Sequence, residues 1–209
     1  MAEEASLSTV ESLPLALSER ALRTLCTAFD QDPMIRWIFP DPEGRTHLLP
    51  ALFQVPFRYG LQRGHVTHAH EGRGVAVWFA PERPVTVGGL IRSGMLTVPL
   101  RTGFRPWARF LGANGVMEKI HKRYVPEPHW YLLAVGVDPE LQGKGIGTAL
   151  LSEGLARADE AGTPCYLETS EPSNVPFYER LGFVVLEDAA LGKGGPKGWG
   201  MRREPGGTD

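Results

Sequence analysis

The chain has 209 residues, which is long enough for one large domain or two small ones with an extensive core. Its 42% hydrophobic and 22% charged residues, with 25 Gly and 18 Pro, are ordinary for a globular protein and exclude the collagen-like and disordered classes. The 22 basic and 24 acidic residues leave a formal net charge of −2, so no global basic field exists, and neither nucleic acid nor a membrane is expected as a partner.

The first part of the chain predicts two helices. Apolar residues recur at helical spacing from Ser18, a residue type suited to an N-cap, up to Asp32-Pro33, where the pattern ends. A second helical stretch with a wide apolar face lies between Pro40 and Gly64. Both helices are therefore expected to bury one face in a core.

A hairpin and a less regular stretch follow. Two β-prone runs, 65–70 and 74–79, flank the short turn sequence 71–73, and this spacing predicts an antiparallel pair of strands. Residues 85–125 mix Leu, Met, Phe and Trp with Gly and Pro. This composition predicts helices whose boundaries the sequence does not define.

The C-terminal part has a clearer pattern. An apolar, β-prone run at 130–137 is followed by a glycine-rich loop at 142–147 and a stretch of helical composition at 148–161, which predicts the order strand, loop, helix. The prediction continues with a strand at 165–169 and a short helix at 174–182, with Pro176 in its first turn. Two further strands, at 183–186 and 199–202, flank a glycine-rich turn.

The two cysteines and the N-terminal sequence bear on the cellular compartment of the protein. Cys26 and Cys165 lie far apart in apolar segments, so we predict two buried, reduced thiols rather than a disulfide or a CxxC motif. The first ten residues lack the basic and apolar regions of a secretory signal. No apolar run approaches the roughly 20 residues that span a bilayer. We therefore expect a cytoplasmic protein.

The segment 142–148, Gln-Gly-Lys-Gly-Ile-Gly-Thr, connects the predicted strand to the predicted helix. Glycines let the backbone approach a ligand closely, and the free N–H groups and dipole at a helix start favour an anion such as phosphate. A Walker A loop is excluded because Lys144 is followed by Gly145, and the dinucleotide fingerprint is excluded by the GxGxG spacing. A structural turn without a ligand is the alternative.

In combination, this Gln-x-x-Gly-x-Gly loop, Asn174 and the block Phe-Tyr-Glu-Arg-Leu-Gly-Phe at 177–183 resemble the GNAT acetyltransferases. The resemblance implies an α/β (α+β) fold with a mixed, mostly antiparallel central sheet that is splayed between two central strands and flanked by helices. It also implies a single domain over 1–209, in which 5–125 contains the acceptor-pocket helices and 126–203 binds acetyl-CoA.

Five blocks resemble, in order and spacing, the GNAT enzymes that acetylate aminoacyl-nucleoside antibiotics such as puromycin: 75–78, 135–137, 142–145, 167–170 and 176–183. This narrower resemblance implies N-acetylation of a small-molecule amine and a role in antibiotic resistance. Two alternatives stay open, a protein or peptide N-acetyltransferase and a non-catalytic acyl-CoA-binding sensor. The sequence is compatible with a monomer and with a homodimer.

The resemblance assigns residues to acetyl-CoA. The loop would bind the pyrophosphate through main-chain N–H groups, with the Lys144 ammonium as a charge partner. Its residues are Gln142, Gly143, Lys144, Gly145, Ile146, Gly147 and Thr148. The pantetheine arm would lie along Val135, Gly136 and Val137 like an added strand. The N–H near Val137 would polarise the thioester carbonyl, and Asn174 would contact the arm from the other side.

Two side chains are candidates for proton transfer. Tyr178 matches the tyrosine that GNAT enzymes place beside the sulfur, where it would donate a proton to the departing thiol. The alternative for Tyr178 is a packed aromatic on a helix face. Glu168 would take the amine proton, directly or through water, and its alternative is an ion pair or a loop anchor. An acceptor that is already deprotonated would need no strong base.

Two further groups of side chains are candidates for a functional role. His65, His68 and His70 have the chemistry of zinc ligands, but on a strand only His68 and His70 share a face. We therefore predict no metal and a solvated edge strand at this position. Four aromatic residues are candidates for an acceptor pocket, with core packing as the alternative: Trp37, Phe39, Trp107 and Trp130.

Overall fold

The structure is a computed structural model that describes residues 9–206. Within these residues the sheet has seven strands in the order β1-β2-β3-β4-β5-β7-β6. They are β1 Val10–Ser12, β2 His65–Ala69, β3 Gly74–Phe79, β4 Trp130–Val137, β5 Cys165–Thr169, β6 Val184–Ala190 and β7 Lys197–Arg203. Neighbouring strands are antiparallel except for β4 and β5. The predicted mixed, mostly antiparallel sheet is confirmed.

Helices cover both faces of the sheet. They are α1 Ser18–Phe29, α2 Pro33–Ile38, α3 Pro42–Arg63, α4 Val87–Arg92, α5 Val98–Thr102, α6 Phe104–Tyr124, α7 Ile146–Glu160 and α8 Asn174–Glu179. Short 3₁₀ turns precede α1 and α5 and follow β4. None of the described helices is long and apolar enough to cross a membrane.

The first predicted helix is confirmed as α1, and a short helix, α2, follows it directly. α1 ends at Phe29, and the Asp32 carboxylate accepts hydrogen bonds from the N–H groups of Met34 and Ile35, so that it caps α2. Asp before Pro therefore marks a helix beginning, because Pro33 fills a position where no N–H donor is needed. The first helix ends before Asp32-Pro33 as predicted, but the sequence analysis did not predict that this dipeptide also begins α2.

The strand β2 is not an edge strand. β1 pairs with its outer side, and the side chain of His68 is buried there. His70 lies in the following turn with φ 49°, and the Nε2 atom of His65 is 2.9 Å from a carboxylate oxygen of Glu153. The prediction of a solvated edge was therefore wrong, because the strand at 10–12 carries too few residues to be recognised in the sequence.

Alternate residues of β3 face two cores. Ala76 and Trp78 pack with α7 on one face, and Val75, Val77 and Phe79 pack with α1 and α3 on the other. Burying one large apolar side chain contributes about 1.5–3 kcal/mol, so both faces hold β3 firmly. α7 approaches the sheet closely at Gly154, where a Cβ atom would lie 2.5 Å from the Trp78 indole.

Candidate active site

A cleft opens in the sheet because β4 leaves β5. The two strands pair only from Trp130 and Cys165 to Leu132 and Leu167. Val77 of β3 pairs with Ala134 and the next residue pairs with Leu132, so Leu133 is the extra residue of a β-bulge. A bulge bends its strand and increases its twist. From 133 to 137, one edge of β4 is therefore without a strand partner among residues 9–206, as the predicted splay requires.

The glycine-rich loop lies at the C-terminal end of β4. Gly143 and Gly145 have φ values of 74° and 80°, which disfavour other residues, and no heavy atom lies within 4 Å of a Cβ at either position. α7 starts directly after Gly145, two residues earlier than predicted, without a capping side chain. The loop therefore presents open backbone and a helix N-terminus of the kind that binds anions.

Not every side chain assigned to acetyl-CoA is free to contact it. The Gln142 Nε2 atom donates to the Val137 carbonyl oxygen at 3.0 Å, which ties the loop to β4. The side chain of Ile146, the first residue of α7, is buried in the core, so that only its main chain faces the loop, and Gly136 packs against Leu25 of α1. Lys144 is exposed and available for a phosphate.

A cavity of about 960 Å³ lies between the sheet and the helices α1, α3 and α6. Its wall is largely aromatic and aliphatic, and includes Phe29, Phe53, Phe57, Phe79, Trp107 and Phe110. Val135, Glu168, Asn174 and Tyr178 also line it, whereas the loop 142–148 lies outside it. The cleft residues and the apolar cavity therefore adjoin each other.

Of the four aromatic residues considered for the acceptor pocket, the structure places Trp107 in the cavity wall, stacked on Phe110 at 5.4 Å. Phe39 and Trp130 are buried in core clusters instead. Trp37 packs under the guanidinium of Arg109, 5.3 Å from its ring centre. The pocket interpretation was therefore wrong for these three residues.

Tyr178 lies at the cavity wall on α8. Its ring packs edge-on against Phe183 with 5.9 Å between ring centres, and within the described chain its hydroxyl has no hydrogen-bond partner. Burial raises the pKa of the phenol, and the carboxylate of Asp32 raises it further. Tyr178 is therefore both packed and protonated, so it can donate a proton into the cavity.

Glu168 on β5 lies deep in the protein and faces the same cavity. Its Oε1 atom accepts a hydrogen bond from the Tyr166 hydroxyl at 3.2 Å. Burial raises the pKa of Glu168 from its ordinary value to about 7, and the nearby Glu118 carboxylate adds to the shift. A carboxyl group with this pKa exchanges protons at neutral pH, as a general base must.

The sequence analysis missed Asp32 as a cavity residue. Both of its carboxylate oxygens accept from the Ser170 hydroxyl at 2.8 Å, and the pair joins the start of α2 to the end of β5. Burial raises the pKa of this carboxyl. The Asp-Pro capping signal could have located the helix start, but no local pattern indicates that Ser170 lies next to it.

Comparisons with known proteins indicate similarity to acetyltransferases. Residues 101–183 match a family model described as the acetyltransferase (GNAT) family. An uncharacterized N-acetyltransferase of Schizosaccharomyces pombe is 26% identical over 181 residues, which are 83% of this chain and 73% of that protein. A mycothiol acetyltransferase of Nocardiopsis dassonvillei is 42% identical over 64 residues, but these are 29% of this chain and 19% of that longer protein.

Solved structures are similar over nearly the whole chain. A crystal structure of the histone acetyltransferase HPA2 and related acetyltransferase from Corynebacterium glutamicum superposes with a TM-score of 0.67 at 27% identity. The superposition covers 94% of this chain and 96% of that one. It therefore extends well N-terminal of residue 101, where the family-model match begins.

Proposed function

We propose that the chain is a GNAT acetyltransferase, a proposal supported by the match of residues 101–183 to that family model, and that it transfers the acetyl group of acetyl-CoA to the amine of a small molecule by direct attack in a ternary complex. The observation that carries this proposal is the junction of the β4–β5 cleft with the apolar cavity, because Glu168 and Tyr178 both face that junction. In this proposal 5–125 shapes the acceptor site and 126–203 binds acetyl-CoA.

The residues present fit acetyl-CoA. The open backbone of Gly143 and Gly145 and the N-terminus of α7 would bind its pyrophosphate, with Lys144 as an added charge. The free edge of β4 would take the pantetheine arm as an added strand. Asn174, whose Nδ2 atom lies 3.4 Å from Thr169 Oγ1, would contact the arm from the other side of the cleft.

Bound acetyl-CoA supplies an activated thioester, and the chain supplies proton transfer and charge stabilisation. Glu168 would accept a proton from the attacking amine, and the N–H near Val137 would stabilise the oxyanion. Tyr178 would donate a proton to the departing sulfur, so that the amine is acetylated and the thiol leaves neutral. The raised pKa of Glu168 suits a base at neutral pH, and the raised pKa of Tyr178 keeps its hydroxyl protonated until the sulfur departs.

The cavity favours a compact acceptor with an apolar body, because its wall is dominated by aromatic and aliphatic side chains. An aminoacyl-nucleoside antibiotic such as puromycin would place an aromatic side chain in such a wall, and resistance would be the biological role. A protein N-acetyltransferase is the second candidate, favoured by the name of the Corynebacterium glutamicum structure. A non-catalytic acyl-CoA sensor is the third.

The direct test is thiol release from acetyl-CoA with no acceptor, with puromycin, with phenethylamine and with a histone peptide. Release that depends on a small amine supports the proposal, and puromycin dependence supports the narrower substrate. If only the histone peptide causes thiol release, then the acceptor is a protein and not a small molecule. Acetyl-CoA binding without release on any amine would favour the sensor.

Acetyl-CoA should raise the melting temperature of the protein by roughly 5–10 °C at one hundred times its dissociation constant. The reason is that a ligand that binds only the folded state stabilises it by mass action. Differential scanning fluorimetry measures this shift. S-acetylpantetheine, which lacks the pyrophosphate, is the control and should give a much smaller shift. Equal shifts would contradict the role of the glycine-rich loop.

Gly145→Ala should weaken acetyl-CoA binding about tenfold, because a Cβ at positive φ strains the loop and moves its N–H groups. Gly194→Ala is a matched control, since Gly194 has φ 71° and open surroundings but lies in the β6–β7 turn. Both variants should lose about 1 kcal/mol of unfolding free energy. Isothermal titration calorimetry should show weaker binding only for Gly145→Ala, and equal binding by both would contradict the assignment.

A further inference from the structure

Two histidines that the proposed mechanism does not use meet at the wall of the cavity. His121 is on α6 and His129 immediately precedes β4, and both line the cavity. Their Nε2 atoms are 2.7 Å apart, and the Nδ1 atom of His129 is 2.7 Å from the Glu127 carbonyl oxygen. The ring of His121 stacks on Tyr166, whose hydroxyl donates to Glu168.

These distances determine where the protons are. A carbonyl oxygen only accepts, so Nδ1 of His129 carries a hydrogen, and Nε2 of a neutral His129 is then a bare acceptor. The short contact between the rings therefore requires that Nε2 of His121 donates. In the neutral pair, Nδ1 of His121 is left as a free acceptor, and within residues 9–206 it has no hydrogen-bond partner.

The surroundings decide which ring would hold a positive charge. Glu118 and Lys122 interact with His121 from its own helix, and the rings of Tyr131 on β4 and Tyr166 on β5 pack against it. Glu168 lines the same cavity and accepts from the Tyr166 hydroxyl. Burial, and to a smaller extent the charge of His129, lower the pKa of His121 to about 4.

His129 has a different environment. The Glu127 carboxylate, which is ion-paired with Arg202, interacts attractively with a charged His129 and has its own pKa lowered, chiefly by a backbone hydrogen bond. A positive charge on His129 would therefore have the Glu127 carboxylate as an attractive partner, whereas burial disfavours a charge on His121.

The proposed function leaves one proton without an acceptor. Alkylamines have pKa values of roughly 10, as that of Lys does, and reach the protein at neutral pH as ammonium ions. An ammonium must lose one proton before it can attack the thioester and a second as the amide forms. The second ends on the departing sulfur through Glu168 and Tyr178. The first has to be taken up elsewhere.

We propose that His121 and His129 together accept this first proton, an inference that rests on the proposed acetyl transfer. Nδ1 of His121 takes the proton from the incoming ammonium, directly or through one water. The Nε2 proton of His121 moves to Nε2 of His129, which becomes the imidazolium. After product release the same steps run in reverse and the proton leaves to solvent through the emptied cavity. No bond other than N–H forms or breaks.

The first arm of the test is the pH dependence of turnover with phenethylamine as the acceptor. His121→Phe keeps the stacking on Tyr166 but accepts no proton, and kcat/KM should fall at least tenfold at pH 7. The deficit should disappear above the pKa of the amine, where the acceptor arrives neutral, and imidazole in the buffer should restore activity at pH 7. His129→Asn should show the same trend, and the exposed His47→Asn should match the wild type.

A loss of activity that is equal at all pH values and insensitive to imidazole would mean a structural role and overturn the proposal, as would an unchanged rate at pH 7. The second arm needs no turnover, because nitrogen-15 NMR of the histidines reports which ring nitrogen carries hydrogen. Hydrogen on Nδ1 of His129 and on Nε2 of His121 is expected, and the opposite pattern would overturn the proposal. A wild type that turns over no amine would overturn the proposed function alone.

Discussion

Replacing Tyr178 with Phe should lower kcat by about 10²- to 10⁴-fold while the affinity for acetyl-CoA stays unchanged. The substitution removes only the hydroxyl, and the ring keeps its packing against Phe177 and Phe183. Because burial raises the pKa of this phenol, it stays protonated at working pH and its loss removes a proton donor rather than a charge. Thiol-release kinetics measure kcat, and calorimetric titration measures the affinity.

Tyr124→Phe is the matched control for this experiment. Tyr124 is 37% exposed at the end of α6 and does not line the cavity, so its hydroxyl should contribute nothing to turnover. An unchanged kcat for Tyr178→Phe would remove the residue from the mechanism. A large fall in the melting temperature of Tyr178→Phe would instead indicate the alternative, a structural role in which the Tyr178 hydroxyl stabilises the fold.

The C-terminal half was predictable because its signals are local. A strand at 130–137, a glycine-rich loop and a helix start follow each other within 20 residues, and the structure places them at 130–137, 142–145 and 146–160. Each element is specified by its own composition, since apolar runs form buried strands and glycines permit positive φ. The structure also confirms the hairpin at 65–79, for which the turn sequence supplies the signal.

The acceptor side was less predictable because its features depend on distant contacts. Nothing in the residues around Leu133 marks the bulge, which arises from pairing with β3 and from the end of pairing with β5. Asp32 meets Ser170, 138 residues further along the chain. His121 lies in the stretch where the sequence indicated helices without boundaries, so its face could not be assigned, and its partner His129 lies beyond that stretch.

Replacing Glu168 with Gln should reduce activity and increase stability, a combination that distinguishes a base from a structural anchor. The folded-state pKa of about 7 lies above the ordinary value, so between these two pH values the folded protein binds more protons than the unfolded chain, and stability falls as the pH rises. Gln carries no charge and escapes this loss. At pH 8 the variant should gain up to about 3 kcal/mol of unfolding free energy, and at pH 4 almost none.

The activity of the same variant should fall by about 10²- to 10⁴-fold, and the rise of kcat/KM through pH 7 should disappear, because that rise reports the ionisation of the base. Glu118→Gln is the comparison within the same cavity. The Glu118 carboxylate raises the pKa of Glu168, so its removal should shift the rise to lower pH without abolishing it. If Glu168→Gln keeps the wild-type pH profile and loses stability at pH 8, then Glu168 anchors a loop and the amine loses its proton to another group.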